Sequence, residues 1–169
     1  MKNMTFEETI AYTETLLARK DLDESQLKSE ISMLVKTSNG ARGFFVSFLT
    51  GEWELADRPS PAIIQALQSE PNAIAELLVK NLAMSTAMAI THRRNGKPDL
   101  ADDSDRVAKR TALLIEKVDL PEVQAIAIQM RDSTTSNVGE YSAFFAKWGY
   151  DTEQKQAISN ALISSRLTS

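Results

Sequence analysis

The chain has 169 residues, 43% hydrophobic and 25% charged, which is enough apolar area to offset the entropy of ordering one globular domain. It contains no cysteine and one histidine, which excludes disulfides, thiolate nucleophiles, zinc–thiolate sites and cysteine-held iron–sulfur clusters. Its formal charge of −4 opposes non-specific nucleic-acid binding unless positive charge is segregated onto one face.

Thr5-Phe6-Glu7-Glu8 has the capping-box pattern, in which a threonine hydroxyl and a glutamate carboxylate satisfy free amides at a helix start. Phe6, Ile10 and Leu17 then fall on one side of the predicted helix. After a break at Asp21 to Asp23, Leu27, Ile31, Leu34 and Val35 keep helical spacing, and Ser38-Asn39-Gly40 reads as the stop. Phe44 to Leu49 fits either a buried strand or a short buried helix. Helix is preferred, because no second strand-like run exists to pair with it and an unpaired strand leaves its amides unsatisfied. Gly51 to Pro61 then reads as a loop carrying Trp53.

Ser60-Pro61 is an N-cap followed by proline at the first helical position, and it opens a short helix through Ile63, Ile64 and Leu67. Ser69-Glu70-Pro71 repeats that signal for the longest helix, about 71–94, whose apolar and small residues cover nearly its whole circumference. Such a helix is surrounded by protein, so it is expected to be the central element. Leu100, Val107, Thr111, Leu114 and Val118 keep the next stripe, and Asp119-Leu120-Pro121 begins another helix with Val123, Ile126, Ala127 and Met130 inward. Ser133 to Asn137 reads as a polar loop. Val138, Tyr141, Phe145 and Trp148 form an aromatic helix stopped by Gly149, and Asp151 with Gln154 caps a last helix carrying Ile158, Leu162 and Leu167. The expectation is one all-α domain over 1–169, a bundle of about seven to eight helices around the long one.

The stretch MAITHRRNGKPDLADDSDRVAKR, Met88 to Arg110, concentrates the charges. Di-iron bundles use Glu-x-x-His, but Ala89 stands three positions before His92. The calcium-loop pattern fails in both registers, from Asp99 and from Asp103, because neither glycine nor the closing glutamate falls in place. No metal site and no cofactor is expected. The aspartates instead suit the first turn of a helix starting at Pro98, where Asp102 precedes Arg106 by four residues and Asp105 precedes Lys109 by four. Residues 92–110 carry six Lys or Arg against four Asp, so capping and solubility outrank nucleic-acid binding. No G-x-S-x-G elbow is present, and Gly40-Ala41-Arg42-Gly43 lacks the phosphate-loop pattern, so that segment reads as a tight turn letting two helices approach. No catalytic residue is assigned.

Two functional readings follow. The first is a non-enzymatic helical interaction or regulatory domain, with a protein partner or self-association through Phe44, Phe45, Phe48 and Trp53. The alternative is a small-molecule binding protein or metal-independent enzyme with a polar pocket between helices. That pocket would be walled by Asn81, Ser85 and His92, which with Met88 are spaced by four, three and four, next to Arg93, Arg94 and Lys97. The acidic N-terminal run and the interruption of the long helix by Lys80 and Asn81 point away from export and from a membrane span, so the cytoplasm is the expected location.

Overall fold

The computed structural model of the chain describes residues 3–136 and 138–165, and it is all-helical, with no strand among the described residues. The helices are α1 (Phe6–Ala18), α2 (Glu24–Leu34), α3 (Ser38–Thr50), α4 (Glu54–Asp57), α5 (Pro61–Gln68), α6 (Pro71–Arg94), α7 (Pro98–Val118), α8 (Pro121–Ser133), α9 (Ser142–Trp148) and α10 (Thr152–Ser164). The short α4 falls inside the expected Trp53 loop, and α9, the expected aromatic helix, is only seven residues long. The chain divides into two compact units, Met1–Leu77 and Leu78–Ser169, and the division falls within α6.

The helix starts follow local chemistry. Thr5 Oγ1 accepts from Glu8 N while the Glu8 carboxylate accepts from Thr5 N, and Asp23 with Gln26 makes the same reciprocal pair for α2. Proline occupies the first turn of α5, α7 and α8, where a missing N–H costs nothing. At α5 the expected cap is replaced: Ser60 makes no capping bond, and Ala62 N donates instead to Glu24 Oε2 of α2 at 3.2 Å. The start of α5 is thereby tied to the start of α2.

In the first unit α1 packs along α3, and α2 packs against α5 and α3. The buried side of α1 is Thr9, Thr13, Leu16 and Leu17, and not the Phe6 and Ile10 side, both of which are only half-buried. Threonine is admitted there because its hydroxyl is satisfied locally: Thr13 Oγ1 donates to Thr9 O at 2.7 Å, and Thr9 Oγ1 lies 2.6 Å from Phe6 O and 3.0 Å from Asn39 O. Opposite Thr9 stands Gly43. A Cβ there would sit 1.8 Å from Thr9 Oγ1, so the absence of a side chain is what lets α3 come so close.

Two sequence expectations are corrected in this region. Ser38-Asn39-Gly40 is not the stop of α2, which ends at Leu34, but the first turn of α3, capped by Thr37 Oγ1 accepting from Gly40 N at 3.0 Å. Gly40 to Gly43 is therefore helix and not a turn, although the close approach read from it is real. Phe44 to Leu49 is helical, as preferred.

In the second unit α8 packs against α10, with Val123, Ala127 and Met130 buried on one and Ile158 and Leu162 on the other. Ser133, expected in a loop, is the last residue of α8 and is buried. Its hydroxyl donates to Gln129 O and accepts from Tyr141 N, both at 2.9 Å. Val138 lies outside the aromatic helix, and Leu167 falls outside the described residues. Helix α6 runs from Pro71 to Arg94 as its sequence predicts. By length and composition it is apolar enough to cross a membrane despite Lys80 and Asn81, and half of its most apolar stretch is buried within the protein.

Candidate functional site

The C-terminal end of α6 is built by a stop signal and two ion pairs. Gly96 takes φ +68, and Gly96 N bonds to Arg93 O while Lys97 N bonds to His92 O at 2.9 Å, the double closure that satisfies the last carbonyls of a helix. This geometry turns the chain so that Pro98 starts α7 at once. Arg93 then pairs with Asp105 of α7 and lies 3.7 Å from Asp102. Arg94 forks onto Asp151, at 2.6 and 3.4 Å, and reaches Glu153 at 3.1 Å. Both arginines therefore have carboxylate partners that lie 9 to 59 residues away along the chain and that local spacing does not reveal.

Asp151 does two things at once. Its Oδ1 accepts from Gln154 N at 3.0 Å, capping α10, and its carboxylate takes the Arg94 guanidinium. The guanidinium first, and the α10 amide next, hold the Asp151 carboxyl below its ordinary pKa. Gln154 completes the capping box by accepting from Asp151 N at 3.1 Å, and its buried amide donates to Ala87 O at 3.0 Å and Thr91 Oγ1 at 2.8 Å. One turn of α10 is thus bolted to the last two turns of α6.

Of the residues expected to wall a pocket, Asn81 and His92 are half-buried and Ser85 is buried. Ser85 Oγ donates to Asn81 O at 2.7 Å, within its own helix, so it presents no unsatisfied hydroxyl to a ligand. Asn81 and His92 are eleven residues apart, about 16 Å along the axis at about 1.5 Å per residue, so the stripe is a line and not the wall of one small site. Arg93 and Arg94 are in the ion pairs above, and Lys97 is exposed where α7 begins. Arg110, the far end of the basic stretch, is buried.

The expected interface is also corrected. Phe44, Phe45 and Phe48 are fully buried, with Phe44 and Phe48 stacked at 5.0 Å, because i and i+4 on α3 place them on the same inward side. Buried rings cannot meet a partner without opening the core. Trp53 is half-buried and donates from Nε1 to Ser47 O at 2.9 Å, which folds it onto the end of α3.

Residue spacing found the aromatic helix of the second unit but not the cluster it forms with Phe144 and Tyr150, nor the groove beside it. Gly149, with φ +67, closes α9 through Gly149 N to Ala146 O and Tyr150 N to Phe145 O, and Tyr150 is turned back against Phe144 and Phe145. Tyr141 meets Phe144 edge-on at 6.4 Å, and Lys80 Nζ lies 5.6 Å from the centre of the Phe144 ring. Burial alone raises the Tyr150 phenol to about 12. Beside this cluster, between α9 and the first turns of α10, is an open groove of about 560 Å³ that includes Ser142, Phe145, Tyr150, Asp151 and Lys155 in its lining. Outside the cluster two apolar side chains face solvent: Trp148 is 48% exposed and Val138 is 93% exposed. Among the described residues no group of three or more His, Cys, Asp or Glu side chains is placed to hold a metal ion.

The family model described as "Uncharacterised conserved protein UCP020893" matches residues 5–165. The chain belongs to this family. The match runs from the α1 capping box to the end of α10, so both units are family features and not appendages. No curated protein and no solved structure matches the chain significantly.

Proposed function

We propose that the chain is a non-enzymatic helical interaction domain that self-associates or binds a protein partner, and that the contact lies beside α9, not on α3. The observation that carries this reading is the exposure of Trp148, the last residue of α9, and of Val138, which precedes that helix, while Phe145 is buried. Tryptophan is favoured at interface centres because it buries a large rigid area at little entropic cost. Nearly half of a side chain that can bury about 150–250 Å² leaves about 100 Å², worth about 2.5 kcal/mol at about 25 cal/mol per Å².

Sedimentation equilibrium over a wide concentration range, with Trp148 fluorescence in parallel, tests it. The expected result is concentration-dependent association with a blue shift of Trp148 emission, weakened roughly sixtyfold by Trp148→Ser, the equivalent of that energy. A strict monomer whose Trp148 stays solvated, alone and with any co-purifying protein, overturns the reading.

The pocket alternative near His92 loses support from the geometry, because Ser85 and both arginines are engaged within the protein.

A further inference from the structure

The groove beside α10 has the volume of a site for a small organic molecule, about 560 Å³ within the usual range of about 300–1,000 Å³. Two of its polar side chains are satisfied within the protein. Ser142 Oγ donates to Ser136 O at 2.8 Å, and Asp151 accepts from Arg94 and from Gln154 N. Two are not. Tyr150 is 7% exposed, burial is the one cause that raises its phenol, and its hydroxyl makes no hydrogen bond among the described residues. Lys155 is half-buried, and its ammonium has no ion pair among them.

The isolation of Lys155 has a physical cause. Asp151, four residues earlier on the same helix, is the acid that ordinarily pairs with a lysine at this spacing. Here its carboxylate is held by the Arg94 fork. The groove is left with two hydrogen-bond donors and no acceptor assigned to them among the described residues, and its lining also includes the exposed Ala146. One ammonium and one phenol match a single negative charge. A dianion would meet the nearby Asp151 and Glu153 carboxylates with too little compensation.

We propose that this groove binds a small organic carboxylate with a flat apolar body, the carboxylate accepting from Lys155 Nζ and Tyr150 Oη while the body lies over Ala146. The proposal is independent of the protein-binding reading above, since it needs neither Trp148 nor Val138.

The test is a titration of the full chain, followed residue by residue in amide correlation spectra, with benzoate, with benzamide as the uncharged analogue, and with inorganic phosphate. Saturable benzoate shifts centred on residues 142–155 are expected, with benzamide and phosphate each at least about tenfold weaker. Lys155→Gln and Tyr150→Phe are each expected to weaken benzoate about tenfold, with spectra otherwise unchanged. If Tyr150→Phe disturbs the fold, Lys155→Gln alone decides, because its ammonium has no ion pair to lose among the described residues. Absence of saturable benzoate shifts, phosphate binding as tight as benzoate, or undiminished benzoate binding by Lys155→Gln overturns the proposal.

Discussion

Substituting Gly43 by alanine isolates the tightest helix–helix approach in the first unit. In an open helix the change is favourable, by about 1 kcal/mol. Here the new Cβ would lie 1.8 Å from Thr9 Oγ1, 2.7 Å from Thr9 Cβ and 3.2 Å from Ile10 N, against an ordinary carbon contact of about 3.5–4.0 Å. The Thr9 hydroxyl cannot simply turn away, because it bonds Phe6 O and Asn39 O. The helices must therefore separate, and overpacking of this kind costs about 1–3 kcal/mol or more. Setting that against the propensity gain gives a net loss of up to about 2 kcal/mol, or a Tm lower by up to about 8 °C for a chain of this length. Circular dichroism during thermal and urea unfolding measures it. Thr9→Ala removes the 1.8 Å clash but leaves the 2.7 Å one, so the double variant is expected to lose at least about 1 kcal/mol less than the two single changes summed. A Gly43→Ala protein that melts higher than the parent, or strict additivity with Thr9→Ala, would refute the close approach.

The two glutamines in aspartate capping boxes separate local from tertiary contributions. Gln26→Ala, exposed on α2, is expected to cost about 0.5–1 kcal/mol, whereas Gln154→Ala, which also loses its bonds to Ala87 O and Thr91 Oγ1, costs about 2–3 kcal/mol in the same denaturation assay. Equal losses would mean that Gln154 does not bolt α10 to α6. Because Arg94 and the α10 amide lower the Asp151 pKa, the stability this carboxylate contributes is present above the ordinary aspartate value and is lost as pH falls through the lowered one. Carbon-detected titration of Asp151 in Arg94→Gln should show its pKa rising toward the ordinary value, and an unmoved pKa would assign the shift to the cap alone. Tyr150 is raised to about 12. A neutral phenol favoured in the fold adds stability below the ordinary tyrosine value near 10, lost as pH climbs to about 12. Because Tyr12, hydrogen-bonded to Glu30, is also raised, ultraviolet difference titration should show a late tyrosine ionisation whose amplitude falls in Tyr150→Phe, and an unchanged amplitude would disprove the assignment.

Helix starts closed by a capping box were the most readable part of the fold, because each box is decided within four residues. The Thr5–Glu8 and Asp151–Gln154 boxes form as spelled, and α6 runs between Pro71 and Arg94 with Gly96 closing it. Thr9 and Thr13 defeated the apolar-stripe rule because a hydroxyl that bonds its own helix backbone leaves a methyl for packing, so the buried side of α1 is not its most hydrophobic one. Ser38-Asn39-Gly40 was misleading for a related reason. Polar and glycine residues suit both a helix end and the first turn of the next, and only Thr37 accepting from Gly40 N shows which applies. Phe44, Phe45 and Phe48 were legible as a buried helix and yet equally nameable as an interface, since a short apolar run does not show whether the chain itself or a partner covers it.

The candidate site was hidden by competition between local and distant partners. Spacing alone assigns Asp102 and Asp105 to Arg106 and Lys109, and would equally give Asp151 to Lys155. In the structure Asp102 and Asp105 turn to Arg93, and Asp151 turns to Arg94. At Asp151 the distant guanidinium prevails because its planar fork meets both carboxylate oxygens, whereas Lys155, four residues along the helix, offers a single flexible charge worth about 0.2–0.5 kcal/mol. Each such capture releases a local cation from its expected acid. Arg106 has a further interaction elsewhere, but Lys155 lines a groove together with the Tyr150 phenol, and neither has a polar partner among the described residues. The same ion pair that fastens α6 to α10 therefore creates the positive, donor-rich edge of the groove, so the structural and the binding properties of this region are coupled through one carboxylate, Asp151.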